Sequence, residues 1–213
     1  MKQTSYNSYQ MLQDSKNNNF SYKDEELILQ FQQGNENAFV ELVDRYKNKL
    51  INFTFNYLGD RDLAEDIVQE TMLKLYEKRH YYKPIAKFST WIYTIARNQA
   101  NTELRKRKRR KISFLSQMTK NGKDFDLDSK APDLIDEFHN TYLAQRINKA
   151  IQLLPEHFRE VIVLRDIQGL SYEDIGSVMD APLGTIKSRI NRARIQLQAE
   201  LHDLKKYRSK ISK

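Results

Sequence analysis

Residues 171–194 read SYEDIGSVMDAPLGTIKSRINRAR: a short segment, a break, then a longer segment. Ser171-Tyr172-Glu173-Asp174 resembles a capping box, and Ile175, Val178 and Met179 follow at helical spacing. Asp180-Ala181-Pro182-Leu183-Gly184 is turn chemistry. Beyond it, Ile186, Ile190, Ala193, Leu197 and Leu201 form one apolar stripe, with Lys187, Ser188, Asn191 and Arg192 largely on the opposite face. A capped helix, a tight turn and a longer helix with a polar, basic outer face describe a helix-turn-helix. The major groove of DNA admits one α-helix, provided its apolar side packs on preceding helices. Lys187 and Arg192 suit phosphates or guanine edges, and Ser188 and Asn191 suit phosphates or bases. Thr185, near the helix start, suits a backbone phosphate. Arg189 and Arg194 extend the positive charge around both flanks. Periodicity alone also allows a helical hairpin whose outer face happens to be basic.

Working outward, the helices needed to support that motif lie just before it. Leu143, Ile147, Ala150, Ile151 and Leu154 precede Pro155, which fits the first turn of a further helix carrying Phe158, Val161, Ile162 and Leu164 and ending at Gly169. The N-terminal half repeats the helical pattern. A short helix, Asp24 to Gln33, stops at Gly34. A longer one carries Phe39, Leu42, Val43, Tyr46, Leu50 and Phe53 and ends near Gly59. A third runs from about Asp62 to Arg79, and a fourth begins near Phe88 with Phe88, Trp91, Ile92, Ile95 and Ala96 inward. From Ile112 to Glu137 the pattern fades, with Asn121-Gly122 and Pro132 as breaks and a net acidic balance. The expected fold is therefore all-α: two small helical domains joined by a flexible linker, the C-terminal one a helix-turn-helix.

The charge balance points the same way. Thirty-six Lys and Arg against 28 acidic residues leave +8 over 213 residues, which favours a polyanionic partner. The chain has no cysteine, so disulfides, Cys-based zinc sites and thiol catalysis are excluded. His80, His139, His157 and His202 are scattered without metal-ligand spacing, and no Gly-rich phosphate loop occurs. No cofactor is expected, and nothing suggests catalysis by the chain itself. The Asn-, Gln- and Ser-rich residues 1–21 lack the apolar core of a signal peptide, and no run is long enough to cross a bilayer. A cytoplasmic protein without membrane insertion is expected, with residues 1–21 read as a disordered lead-in.

Seven consecutive cations, Arg105 to Lys111, extend the fourth helix, and Tyr81, Tyr82, Phe88, Trp91 and Tyr93 lie a few turns upstream. Rings that stack on bases beside cations that follow the backbone are what single-stranded nucleic acid requires, at about 1–3 kcal/mol per stacked base. Phe88 and Trp91 are expected to be mostly core, which leaves Tyr81, Tyr82 and Tyr93 as the exposed candidates. The pattern favours opened DNA, and RNA fits it too.

At these residues the chain resembles the bacterial RNA polymerase sigma factors of the sigma-70 family, in the extracytoplasmic-function group. Asp62-Leu63-Ala64-Glu65-Asp66-Ile67-Val68-Gln69-Glu70 through Tyr76 resembles region 2.2, and Phe88-Ser89-Thr90-Trp91 through Asn98 resembles regions 2.3 and 2.4. Leu153-Leu154-Pro155-Glu156, Leu170 to Ile175 and Gly184 to Arg189 resemble region 4, and all occur in the family's order and spacing. The resemblance implies a domain plan: lead 1–21, region 2 at 22–111, acidic linker 112–136, region 4 at 137–205 and a basic tail 206–213. It implies that Asp66, Gln69, Glu70 and Leu73 dock on the clamp coiled coil of the largest subunit of core RNA polymerase. The promoter −10 element would fall to Tyr82, Trp91, Ile95, Asn98, Arg105 and Arg107, with Ile95 and Asn98 near a flipped-out base. The −35 element would be read as duplex by Thr185, Lys187, Ser188, Asn191 and Arg192, Lys187 standing where relatives commonly carry Arg. The linker acids, Asp124 to Asp136, would suit a basic channel inside the polymerase. An anti-sigma factor is a further implied partner. The competing reading is a stand-alone helix-turn-helix regulator, which would footprint its operator alone and usually as a dimer.

Overall fold

The computed structural model describes residues 22–121 and 140–202, and every regular element among them is helical. Helix α1 (Asp24–Gln32) carries three acids in its first turn, where they complement the helix dipole. After Gly34, Asn35 caps α2 (Glu36–Leu58) by accepting the Asn37 amide at 3.1 Å. Ala38, Leu42, Tyr46, Leu50, Phe53 and Tyr57 recur every three or four residues along α2, and all are buried. A fully buried Leu or Phe contributes about 1.5–3 kcal/mol, so this stripe organises the domain. Asp60 then caps α3 (Arg61–Lys78), which buries Ala64, Ile67, Val68, Thr71 and Leu75.

The fourth helix, α4 (Phe88–Asn121), is 34 residues long, roughly 50 Å at 1.5 Å per residue. It continues well past Ile112, where the sequence pattern places the start of the linker. Arg and Lys are good helix formers, and neither Gly nor Pro interrupts the backbone before Gly122, so loss of the apolar pattern did not end the helix. The acidic segment Asp124–Asp136, the lead at 1–21 and the tail at 206–213 lie outside the described residues.

The C-terminal half comprises α5 (Asn140–Leu153), α6 (Glu156–Ile162), a wider π-type turn at Val163–Ile167, α7 (Tyr172–Met179) and α8 (Leu183–Glu200). Pro155 stands just ahead of α6 with φ −51°, pre-set for a helix start. Its buried residues join those of the N-terminal half in one connected apolar cluster, so the two domains pack against each other.

Candidate nucleic-acid interface and polymerase-docking face

The helix-turn-helix forms as its sequence indicates. Ser171 Oγ accepts the Asp174 amide at 3.0 Å and donates to Asp174 Oδ2 at 2.7 Å, which fixes the start of α7. At its end Asp180 adopts φ 50°, and the Ala181 amide returns to the Gly176 carbonyl at 3.0 Å. A Cβ on Gly176 would stand 3.1 Å from the Ala181 carbonyl oxygen, so a larger residue there would push the turn open by a few tenths of an ångström. Ile186, Ile190 and Ala193 then seat α8, with Ile186 and Ala193 wholly buried. Lys187, Ser188, Asn191 and Arg192 are exposed together on the outer side, and Thr185 is half-buried at the first turn. The Ser188 hydroxyl donates to the Thr185 carbonyl at 2.9 Å. Arg194 is held differently: its guanidinium Nε binds Asp166 at 3.0 Å, tying α8 to the π-type turn. Arg165 lies 4.7 Å from the Tyr172 ring centre and braces the same turn.

On α3, Asp66, Gln69, Glu70 and Leu73 are all exposed, and their i, i+3, i+4, i+7 spacing places them on one side of the helix. Leu73 keeps 52% of its surface in solvent beside those polar groups. Glu70 pairs loosely with Lys74 at 3.5 Å. An apolar side chain ringed by carboxylates and an amide suits a basic protein surface, where charge guides encounter and apolar burial slows release.

The aromatic loop departs from its sequence reading. Tyr82 is 3% exposed, with its ring 5.5 Å from Trp91 and 5.9 Å from Phe88 and its hydroxyl donating to the Ala86 carbonyl at 2.8 Å. Tyr93 is equally buried; its hydroxyl reaches Gln168 Oε1 at 2.8 Å, and burial pushes its pKa upward. Neither ring is an open platform here, because each finds an apolar socket and a partner for its hydroxyl, which an amphipathic side chain prefers to solvent. Of the expected exposed tyrosines, Tyr81 is exposed, at 77%. Ile85, at 90%, is an exposed apolar tip that periodicity gave no reason to single out. The loop is held from behind by α1: Gln32 Nε2 donates to the carbonyls of Arg79 and Tyr82 at 2.6 and 3.0 Å. Glu25 accepts the Phe88 amide at 2.9 Å and so starts α4. These supports are missed by sequence reading because Gln32 and Glu25 sit some fifty or sixty residues from their targets.

Trp91 and Ile95 are half-buried and Asn98 exposed, lying along one side of α4 with exposed Arg105 further on. Arg107, expected beside them on DNA, instead donates to Asp60 Oδ2 at 2.7 Å. The Asp60 carboxyl is thereby held below its ordinary range, by the Leu63 amide first and Arg107 second. The reason is helical phase: Arg107 falls on the side of α4 that faces the start of α3. Among its neighbours, Lys106 pairs with Glu103 at 3.3 Å and Lys108 with Glu156 at 2.9 Å, while Arg105, Arg109 and Arg110 are exposed.

Among the described residues no cluster of three or more His, Cys, Asp or Glu could hold a metal, and no helix is long and apolar enough to cross a membrane. Residues 42–110 match the Sigma-70 region 2 family and residues 144–197 the Sigma-70 region 4 family. The chain is 34% identical over 185 residues to the ECF RNA polymerase sigma-E factor of Haemophilus influenzae, covering 85% of this chain and 96% of that one. It is 34% identical over 188 residues to the ECF RNA polymerase sigma factor SigW of Bacillus subtilis, with 83% and 96% covered. Among solved structures it resembles the sigma factor RpoE of Bartonella quintana, determined in complex with the anti-sigma factor NepR. That match has a TM-score of 0.60 at 29% identity, over 77% of this chain and 96% of that one.

Proposed function

The chain belongs to the extracytoplasmic-function sigma factors of the sigma-70 family, and on that premise we propose how its surfaces divide the work of starting transcription. The α3 stripe Asp66, Gln69, Glu70 and Leu73 docks on the clamp coiled coil of core RNA polymerase. The outer face of α8 reads the −35 element as duplex, through Thr185, Lys187, Ser188, Asn191 and Arg192. Trp91, Ile95, Asn98 and Arg105 meet the opened −10 strand, with Tyr82 as the buried wall behind them. Arg107 is assigned to holding Asp60, not DNA. Residues 22–111 and 137–205 are the two working domains, and the polymerase supplies the chemistry. The protein works in the cytoplasm, at the nucleoid once bound to polymerase. A partner of the anti-sigma class, as in the Bartonella quintana complex, would regulate it.

The observation that carries this reading is that two unrelated exposed faces coexist on one chain. One is acidic with an apolar centre, suited to a protein, and the other is basic and polar, suited to DNA. A stand-alone regulator needs only the second.

Capture by core polymerase tests it. Leu73→Glu combined with Glu70→Lys should weaken capture at least about thirtyfold, as expected for a central interface residue, with duplex binding unaltered. Undiminished capture of that variant would overturn the docking assignment.

A further inference from the structure

Two residues of α1 grip the loop between α3 and α4 at its opposite ends. Glu25 and Gln32 stand seven positions apart, close to two helical turns, and so share one side of α1. Glu25 accepts the Phe88 amide at 2.9 Å, where the loop runs into α4. Gln32 Nε2 donates to the Arg79 carbonyl at 2.6 Å and to the Tyr82 carbonyl at 3.0 Å, where the loop leaves α3. Both partners are acceptors only, so the amide nitrogen must face them and both of its N–H bonds are committed.

Phe31, next to Gln32, grips the same turn by its side chain. The Arg79 guanidinium lies 5.0 Å from the Phe31 ring centre and 5.1 Å from that of Tyr76. Its Nη1 donates to the Tyr76 carbonyl at 2.7 Å. The Arg79 carbonyl also accepts the Tyr82 amide at 3.2 Å, closing a single tight turn over Arg79–Tyr81. Helix α1 is a firm base for this grip: Leu27, Ile28 and Phe31 are buried, and Asp24 pairs with Arg45 at 2.7 Å.

Tyr81 is the side chain that this grip presents. It lies between the two clamped carbonyls, and the ring of the following residue, Tyr82, abuts Trp91. Tyr82 and Tyr93 each have a socket, whereas Tyr81 is exposed and has no hydrogen-bond or ring partner among the described residues. Water can satisfy carbonyls at a half-buried turn without help from a distant side chain. What an amide reaching across from α1 adds is fixed geometry. A ring carried on a fixed turn gives up little freedom when it binds, so more of its stacking energy appears as affinity.

We propose that Gln32 is a positioning residue for strand reading: by clamping the Arg79 and Tyr82 carbonyls it holds Tyr81 out as a preset stacking ring for one unpaired base. The clamp stands on contacts within this chain; only the identity of the ligand, the opened −10 strand, rests on the function proposed above. Gln32 itself touches no nucleic acid.

The test uses the full chain assembled with core polymerase, and a labelled single-stranded oligonucleotide that the native holoenzyme selects from a random pool. Tyr81→Ala, at an exposed position, should weaken binding about tenfold, the loss of one stacked base. Gln32→Leu, close in size but without donors, should weaken it about fivefold through lost preorganisation. Its salt dependence should keep the native slope, because no phosphate contact is removed, and duplex affinity should not change. The double variant should bind no worse than Tyr81→Ala alone, since a released turn has no ring left to present. Gln32→Glu keeps the shape and turns oxygens toward both carbonyls. It should couple to Tyr81→Ala in the same way, and it carries the test if Gln32→Leu disturbs α1. Native affinity in Tyr81→Ala, or losses that multiply in both double variants, would overturn the proposal. A native holoenzyme that retains no strand would sink the −10 assignment and the positioning role with it. Retention of the strand with indifferent Gln32 variants would remove the positioning role alone.

Discussion

Helices α4 and α8 both expose cations, yet they are built on different terms. Helix α8 serves a single purpose. Ile186, Ile190 and Ala193 fasten it to its own domain, and the opposite side is left to solvent. Helix α4 divides its circumference three ways, among its own core, the second domain and an open strip. A helix with one buried stripe can be read by periodicity, because everything outside the stripe is free. A helix with two cannot, since the second stripe is polar and looks like surface until its partner arrives. Tyr93 and Lys108 illustrate that ambiguity: each looks available for nucleic acid in sequence, and each is engaged with the C-terminal domain.

Four experiments press on the contrast. Removing the anchor of the single-purpose helix should have the largest effect. Ile186→Ala empties a wholly buried site and should cost about 2–5 kcal/mol, read as a lower denaturant midpoint, with loss of duplex binding. If α8 folds unaided by that stripe, the midpoint will not move. Next, Arg192→Ala on the open face of α8 should weaken binding to a −35 duplex by about 1–3 kcal/mol, measured by fluorescence anisotropy at fixed salt. It should leave affinity for a single-stranded −10 oligonucleotide unchanged. Asn98→Ala should do the reverse, lowering single-strand affinity by about 1 kcal/mol and sparing the duplex. Equal effects of either substitution on both ligands would erase the division between the two helices.

The smallest effect concerns Asp60, whose cap Arg107 reinforces. Its carboxyl is depressed in the folded chain relative to an unfolded value of about 3.9. The cap's contribution should thus be complete above that value and lost as pH falls through the folded pKa. The melting temperature of the native chain should drop over that acid window more than that of Asp60→Asn. Arg107→Ala should move the carboxyl titration, followed by NMR, back toward the ordinary range. A native-like titration in the Arg107 variant would return that guanidinium to the DNA-contacting side.

Much of the architecture was legible in the chain. The start and stop of α7 followed from Ser171 and the Asp180–Pro182 turn, and α1 to α3 began and ended within a residue or two of their caps and glycines. The α3 stripe and the outer face of α8 stood where their spacing placed them. The failures have two causes. Tyr82 reads as an exposed ring only if its neighbourhood is taken to be local in sequence, whereas α4 outruns Ile112 because helix propensity persists after the apolar pattern fades.

Sequence alone determined the helices, their apolar sides and the helix-turn-helix, because 3.6-residue periodicity and capping act over a few neighbouring residues. Tertiary structure alone decided which polar side chains are spoken for. Arg97 and Glu160 lie 63 positions apart, and Lys87 and Asp174 lie 87 apart. No local pattern marks such pairs; they exist only once the apolar surfaces of both domains have packed and brought the charges within reach.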